Sequence, residues 1–291
     1  MKFFIFKLTL LTTAFMPLKL IHLLGTLMGK ISWMSNSRIR KIAGKNIQLC
    51  FPELTKSQQD EIAKKSLYET GKVILETGKM WQGNTHKTLN LVKESENQHL
   101  IDEALAQNKG VILAMPHYGS WELTALYCAK HFPMTTMYAP QANENIDHLI
   151  QQARQRTGAK LVPTDTSGIR SLSKALKQGE LISILPDQSP KNNGIFAPFF
   201  GHPCYTMTLL SKLAQKTKAT VIFTYAKRLE DSSGFKIVFR EASKDLSVLA
   251  LEESVAEVNS GIEKLIRETP YQYQWTYKRF KERPEGEAPI Y

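Results

Sequence analysis

Short apolar runs alternate with polar, helix-like stretches from residue 88 onward, and this alternation constrains the fold more than any other feature. Residues 111–115 and 181–185 contain no charged side chain and have the length of a buried strand. Between them, apolar residues recur at helical spacing, for example in 146–156. Strands that alternate with helices favour a parallel sheet covered on both faces. We therefore predict an α/β fold with a mostly parallel central sheet flanked by helices.

The predicted elements can be placed along this region. Strands are expected at 111–115, 134–138, 160–162, 181–185, 220–225 and 235–239. Helices are expected at 121–130, 146–156, 169–177, 205–215 and 252–267. Residues 231–234, Asp-Ser-Ser-Gly, have the composition of a hairpin turn, so we expect one antiparallel edge strand after them.

A long helix is predicted ahead of this region. Thr55 and Gln58 have the spacing of a capping box, which predicts a helix from 55 to about 81. Its apolar stripe is expected to consist of Ile62, Leu67, Ile74 and Leu75. Gly71 and Gly78 lie close to that stripe, which indicates that another element packs closely against the helix.

The chain divides into two parts by composition. Residues 1–34 are expected to form a membrane-anchoring hydrophobic helix, and 35–291 a single α/β domain. The domain would comprise a helical part (35–85), an α/β core (88–270) and a basic C-terminal tail (271–291). The basic residues clustered in that tail are Lys278, Arg279, Lys281 and Arg283.

Apolar and basic residues dominate the N-terminal segment. Eight basic residues and no acidic residue precede Glu53, and the longest uncharged run, 8–18, is too short to cross a bilayer. Three interpretations stay open: a signal peptide without a convincing cleavage site, a spanning helix in which Lys19 reaches the headgroups, and a helix lying among the headgroups. We favour membrane attachment, with the basic residues of 30–45 keeping the main domain in the cytoplasm.

The net charge of +11 predicts an anionic partner, which for a chain of this kind is nucleic acid, a membrane surface or an acidic carrier. Aromatic and basic residues do not alternate on a predicted sheet face, so we expect no nucleic-acid partner. Cys50, Cys128 and Cys204 lack the spacing of a metal site, and the glycine motifs of nucleotide-binding loops do not occur. We expect no metal, no cofactor and a monomer.

The string 115–122, Met-Pro-His-Tyr-Gly-Ser-Trp-Glu, lies between a predicted buried strand and a predicted helix. Sites in open α/β sheets form beyond the carboxyl ends of strands, so His117 stands where chemistry is expected. With Ser120 as the helix cap and Gly119 in the turn, Glu122 would reach back to the imidazole. A carboxylate on one ring nitrogen makes the other a better base. The pair is therefore predicted to deprotonate an alcohol that attacks a thioester.

Several ordered blocks resemble the late acyltransferases of lipid A biosynthesis, the family of lauroyl and myristoyl acyltransferases. His117-x4-Glu122 is similar to the H-x4-D/E motif that this family shares with glycerolipid acyltransferases. Further similar blocks are Tyr138-Ala-Pro140 with Asn145 and the helix after it, Leu185-Pro-Asp187-Gln188, Phe196-Ala-Pro-Phe-Phe-Gly201, Gln274-Trp275 and Arg279-Phe280-Lys281-x-Arg283-Pro284. Together they cover about 38–284, which is far more specific than one motif.

The resemblance also implies roles for residues outside the His-Glu motif. Arg154 matches the arginine of the family's second block, with Arg156 beside it, and an arginine can grip a phosphate or an oxyanion bidentately. Asp187 and Gln188 follow a buried strand, so they are expected at the same rim of the sheet as His117 and are assigned to substrate binding. Candidates for an acyl-chain groove are Phe196, Phe199 and Phe200, and an ordinary place in the core is an equally open interpretation of this cluster.

The family implies an O-acyltransferase of lipopolysaccharide biosynthesis at the cytoplasmic face of the inner membrane. The donor would be an acyl-carrier-protein thioester, and the acceptor the hydroxyl of a 3-hydroxyacyl chain on a lipid A precursor. The sequence departs from the family at Ala139, where many relatives carry a basic residue, and at Tyr277-Lys278, which replace a His-Arg pair. Two alternatives stay open: a related O-acyltransferase with another glycolipid or amino-acid lipid as acceptor, and a non-catalytic basic membrane-binding protein.

Overall fold

A seven-stranded sheet forms the centre of the computed structural model, which describes residues 2–291, with side chains from Phe6 onward. The strands are β1 (Val92–Glu96), β2 (Val111–Ala114), β3 (Met134–Tyr138), β4 (Lys160–Pro163), β5 (Leu181–Ile184), β6 (Gly194–Phe199), β7 (His202–Met207), β8 (Thr220–Arg228) and β9 (Phe235–Glu241). Their order across the sheet is β1-β9-β8-β2-β5-β3-β4, and β6 and β7 form a separate antiparallel hairpin.

Five neighbouring strands of the sheet, from β8 to β4, run parallel to one another, which confirms the predicted mostly parallel sheet. The antiparallel pairing of β8 with β9 is also as predicted. The expectation that β9 forms the edge is wrong, because β1 pairs with its outer side. The sequence of β1, Val-Lys-Glu-Ser-Glu, is largely charged and mostly exposed, so it lacks the apolar pattern that marks a strand.

The core lies on both faces of the sheet, as it must when helices cover both sides. All four residues of β2 are buried. Ile112 and Ala114 belong to one apolar cluster, and Val111 and Leu113 belong to a second cluster on the other face. Alternate side chains of a strand point to opposite faces, so β2 joins the two halves of the core.

The helices agree with most of the predicted ones. They are α1 (Lys2–Phe15), α2 (Leu18–Met34), α3 (Arg38–Cys50), α4 (Lys56–Gln82), α5 (Thr85–Leu89), α6 (His99–Ala106), α7 (Trp121–His131), α8 (Glu144–Gln155), α9 (Thr166–Lys177), α10 (Leu209–Thr217) and α11 (Leu251–Glu268), with a 3-10 turn at Pro270–Gln272. The helix predicted at 205–215 begins only at Leu209. Its first residues belong to β7, where Tyr205 pairs with Phe196 across the hairpin.

The long helix α4 begins with the predicted capping box, in which Thr55 and Gln58 bond each other's backbone. Close packing against α4 is confirmed as well. A Cβ atom on Gly71 would lie 2.1 Å from the carbonyl oxygen of Gly25 in α2, and one on Gly78 would meet α1. Ile74 is 53% exposed, so it does not belong to the buried stripe.

The N-terminal segment forms two helices rather than the single one expected, because Pro17 separates α1 from α2. Both pack against α4. Within residues 2–291, no helix combines the length and the apolarity that crossing a bilayer requires. The proposed anchoring segment begins at Met1, which lies outside the described residues, and its attachment to a membrane stays a prediction.

The basic C-terminal segment is packed into the domain. Trp275 and Phe280 are buried in the core. Arg279 is buried too, and it donates hydrogen bonds to the carbonyl of Tyr205 (2.8 Å) and the hydroxyl of Thr206 (2.9 Å). The four basic residues predicted here are therefore not all free to meet an anionic partner.

Candidate active site

A tight loop carries His117 from the end of β2 to the start of α7. The backbone N–H of Gly119 donates to the carbonyl of Gln272 (3.0 Å), and that of Ser120 donates to the carbonyl of Ala226 (2.9 Å). Gly119 has a φ of +60°, and a Cβ atom there would lie 2.0 Å from the carbonyl oxygen of Ala226. Only glycine fits this turn, as its sequence position indicated.

The imidazole of His117 is held by Asp187, which follows the neighbouring strand β5. Nδ1 of the ring lies 2.9 Å from Asp187 Oδ1, and the backbone N–H of His117 donates to Asp187 Oδ2 at 2.9 Å. Ala114 pairs with Ile184, so His117 and Asp187 each stand three residues beyond a paired position. The predicted shared rim is confirmed, and it brings the two side chains into contact.

Asp187 determines which nitrogen of the His117 ring carries a proton. Its carboxyl group is only 2% exposed, and burial raises its pKa, but the charge and hydrogen bonds of His117 outweigh burial, so the pKa is lowered from its ordinary value. An ionised carboxylate only accepts, so Nδ1 carries the proton. Nε2 then keeps its lone pair in the neutral ring, and it has no hydrogen-bond partner among the described residues.

Glu122 was predicted to hold the imidazole, and that prediction is wrong. Its carboxylate instead accepts hydrogen bonds from Arg154, at 2.5 Å to Nη2 and 3.2 Å to Nε, and from Trp81 Nε1 at 3.1 Å. Asp187 already occupies the position at the ring. Glu122 lies in the first turn of α7, where its partners come from α4 and α8. The five-residue spacing is local, whereas the observed partner comes from another strand.

Arg154 and Arg156 have different partners. Two donors of Arg154 are engaged by Glu122, and its guanidinium lies 5.6 Å from the ring centre of Tyr138. Burial lowers the pKa of Arg154 and Glu122 raises it, with a net rise, so the group stays charged. Arg156 donates from Nη1 to the carbonyl of Gly83, and burial lowers its pKa. Because Glu122 already occupies two donors of Arg154, they are not available for the predicted bidentate contact with a substrate.

Gln188 is linked to the His117 backbone by hydrogen bonds through Gln274 of the C-terminal segment. Its Nε2 donates to Gln274 Oε1 at 3.2 Å, and the N–H of Gln274 donates to the carbonyl of His117 at 3.0 Å. The hydroxyl of Tyr277, one of the departures from the family pattern, accepts the N–H of Ser189 at 3.0 Å. The segment that follows the 3-10 turn therefore forms one wall of the site.

A cavity of about 340 Å³ lies next to this loop. The Trp121 ring, 5.1 Å from the His117 ring, lines it. Other apolar lining residues are Val73, Ile74, Met80, Trp81 and Tyr273, mostly from α4. Its volume falls at the lower end of the range for small-molecule sites, roughly 300–1,000 Å³.

The three phenylalanines predicted to form an acyl groove do not line this cavity. Phe199 and Phe200 are buried in the core, where Phe200 packs on Phe51 and Trp275. Phe196 is 41% exposed on the hairpin β6–β7. Phe199 and Phe200 are therefore core residues, whereas the apolar wall of the cavity comes mostly from α4.

A buried ionic cluster behind the loop was not predicted from the sequence. Arg228 donates to both carboxylate oxygens of Glu76 (2.6 and 2.7 Å), to Glu69 (3.3 Å) and to the carbonyl of Gly119 (3.0 Å). Burial raises the pKa of Glu76, but Arg228 outweighs it and lowers the pKa to about 2. His22 of α2 bonds the same carboxylate at 2.8 Å. The available signal was the spacing of Glu69 and Glu76, which are seven residues apart and therefore lie on the same face of the predicted helix.

Comparisons with known proteins agree on one family. The family model described as "Bacterial lipid A biosynthesis acyltransferase" matches residues 1–282. "Lipid A biosynthesis lauroyltransferase" of Escherichia coli K12 is 28% identical over 93% of this chain and 88% of its own length. "Lipid A biosynthesis palmitoleoyltransferase" of the same organism is 28% identical over 95% and 90%. A "Lipid A biosynthesis acyltransferase" of Haemophilus influenzae is 31% identical over 85% and 79%.

Proposed function

The chain belongs to the bacterial lipid A biosynthesis acyltransferase family, and from this premise we propose that it moves a fatty acyl chain from an acyl-carrier-protein thioester to a hydroxyl of a lipid A precursor. The observation that carries the proposal is the His117–Asp187 pair, whose imidazole packs against Trp121, a lining residue of a largely apolar cavity. His117 is the general base, and Asp187 replaces Glu122 as the residue that orients it.

The proposed reaction needs no covalent enzyme intermediate. Nε2 of His117 takes the proton of the acceptor hydroxyl as its oxygen attacks the thioester carbonyl carbon, and the carbonyl electrons move onto oxygen. When the tetrahedral intermediate collapses, the C–S bond breaks and the sulfur takes the proton from Nε2. An ester and a free carrier thiol result, and the neutral imidazole is restored. Asp187 stabilises the transient imidazolium through Nδ1.

The cavity along α4 is the proposed acyl site. Val73, Ile74 and Met80 supply an apolar wall along successive turns of one helix, which suits a hydrocarbon chain. Trp121 connects this wall to the His117 ring. A chain in the cavity would place its thioester at the loop, where Nε2 meets the acceptor.

The basic surface and the N-terminal helices suit the proposed substrates. The net charge of +11 favours an acidic carrier protein and the phosphates of an anionic glycolipid. On α2, one face packs against α4, while Leu20, Leu23, Leu27, Ile31 and Met34 are exposed on the other. Their spacing of three and four residues makes a continuous apolar stripe. We place this stripe in the cytoplasmic face of the inner membrane, with α2 lying along the surface.

The proposal is tested with purified full-length protein in lipid vesicles. Acyl-carrier-protein thioesters of several chain lengths and a lipid A precursor are supplied, and the glycolipid is analysed by mass spectrometry. The wild-type protein should add the mass of one acyl group, and His117→Ala should give no product. His131→Ala changes an exposed histidine at the end of α7 and should retain full activity. Undiminished transfer by His117→Ala, or no transfer by the wild-type protein, would refute the proposal.

A further inference from the structure

Acyl transfer places a negative charge on the former carbonyl oxygen, and preorganised hydrogen-bond donors at that oxygen accelerate such reactions. The loop at His117 has no backbone donor left for this purpose. Its four N–H groups donate as follows: His117 to Asp187, Tyr118 to the carbonyl of Pro116, Gly119 to the carbonyl of Gln272, and Ser120 to the carbonyl of Ala226. Donors for the intermediate must come from elsewhere.

Free donors lie at the N-terminal end of α7, directly after the loop. The backbone N–H groups of Trp121, Glu122 and Leu123 make no hydrogen bond to any group in the described part of the chain. Ser120 stands at the N-cap position, but its side chain does not cap the helix. Ser120, Trp121 and Glu122 line the cavity. Unpaired first-turn N–H groups and the helix dipole together favour an anion at such an end.

The Ser120 side chain is a second, independent observation at this place. The residue is only 3% exposed, yet its hydroxyl has no hydrogen-bond partner among residues 2–291. Polar side chains of buried residues are usually paired within the protein. Ser120 lines the cavity, so its hydroxyl is available to a ligand there, and a hydroxyl can donate to a negatively charged oxygen.

We propose that the Ser120 hydroxyl and the first-turn N–H groups of α7 bind the oxyanion of the tetrahedral intermediate. This inference rests on the proposed acyl transfer. As the acceptor oxygen bonds to the carbonyl carbon and Nε2 of His117 takes its proton, the electrons that leave the C=O double bond collect on oxygen beside Ser120. They return when the C–S bond breaks, and the sulfur then takes the proton from Nε2.

The Glu122–Arg154 pair fits this arrangement. Glu122 lies in the same first turn, where an unpaired carboxylate would repel the oxyanion. Arg154 neutralises it through two hydrogen bonds, and Trp81 holds its other side. The guanidinium is thereby engaged, so Arg154 acts on the site by controlling charge at the helix end.

The first arm of the test is kinetic. Ser120→Ala removes the hydroxyl and should lower kcat about 10²-fold with little change in KM, because the donor acts on the transition state. Ser120→Thr keeps a hydroxyl and should retain most of the activity. Ser211→Ala is the control, because Ser211 has a buried hydroxyl without a partner but lies in α10, away from the cavity. It should behave as the wild-type protein does.

The second arm measures binding of two analogues with the donor's alkyl chain. A trifluoromethyl ketone, whose hydrated form is tetrahedral, mimics the intermediate, and a ketone with CH₂ in place of the thioester sulfur mimics the substrate. Ser120→Ala should weaken binding of the tetrahedral analogue by the factor lost in kcat and leave the planar one unchanged. A kcat equal to that of the wild type, or equal weakening of both analogues, would overturn the inference. Neither result would affect the proposed function, which fails only if the wild-type protein transfers no acyl group or His117→Ala keeps its activity.

Discussion

The negative charge of Asp187 determines which ring nitrogen of His117 carries the proton. Pairing of β2 with β5 brings the two side chains together. Each residue was recognised from its place after a buried strand, and the shared rim of the sheet was predicted. Their contact was not, because it requires β2 and β5 to be neighbours in matching register. That pairing joins segments about seventy residues apart, and one sequence carries no local signal for it.

For Glu122, by contrast, a contact with His117 was predicted that the structure does not contain. Its five-residue distance from His117 suggested a contact within one turn, but the first turn of α7 directs it to Arg154 and Trp81. Arg154 was predicted to bind a substrate from its match to the family's arginine, because a partner from another helix is not visible in the sequence. The sequence identified residues that lie close together, but long-range packing decides which of them are in contact.

At the scale of elements, α4 organises the N-terminal helices and the site. Its capping box and the close packing at its two glycines were predictable from the sequence, because both depend on local signals. The contacts of Arg228 were not predictable, because Glu69 and Glu76 lie on α4 whereas Arg228 ends a strand about 150 residues later. The cluster ties α2 and α4 to the carbonyl of Gly119, so the helices brace the loop.

Close contact between α2 and α4 is a testable property of this element. Gly71→Ala would place a methyl group against the backbone of Gly25 and should lower the free energy of unfolding by about 1–3 kcal/mol. Gly44→Ala is the matched control in α3, since no atom lies within 4 Å of an added Cβ, and it should be stabilising by about 0.5–1 kcal/mol. Urea titration followed by circular dichroism measures both. Equal stability of the two variants would contradict the packing described.

On the scale of the whole molecule, the α/β class and its mostly parallel sheet were predictable, because buried strands and amphipathic helices have distinct periodicities. The strand β1 and the hairpin of β6 and β7 were not, since charged or mixed residues hide their strand pattern. The N-terminal segment was recognised as apolar, and Pro17 divides it into two helices. Its exposed stripe on α2 faces away from the domain and gives the molecule one distinctly apolar side.

Vesicle binding tests whether the exposed apolar stripe of α2 contacts a membrane. Replacing Leu23 and Ile31 together by Ser should weaken binding to vesicles that contain anionic phospholipid, because both side chains are exposed on the α2 stripe. Val248→Ser is the control, because Val248 is also strongly exposed but lies just before α11. Sedimentation with vesicles measures the effect, and added salt should weaken the electrostatic part. Unchanged sedimentation of the double variant would exclude α2 as the membrane-binding face.

The central claim, that Asp187 holds His117 as the base for acyl transfer, is tested most directly by the transfer rate of Asp187→Asn. An amide can donate to Nδ1 and so place the ring proton on Nε2, where it blocks proton abstraction. We predict a fall in kcat of up to about 10⁴-fold, as expected when a base loses its orienting carboxylate. Asp165→Asn, which preserves the cap of α9, should leave kcat unchanged. A wild-type kcat in Asp187→Asn would contradict the account.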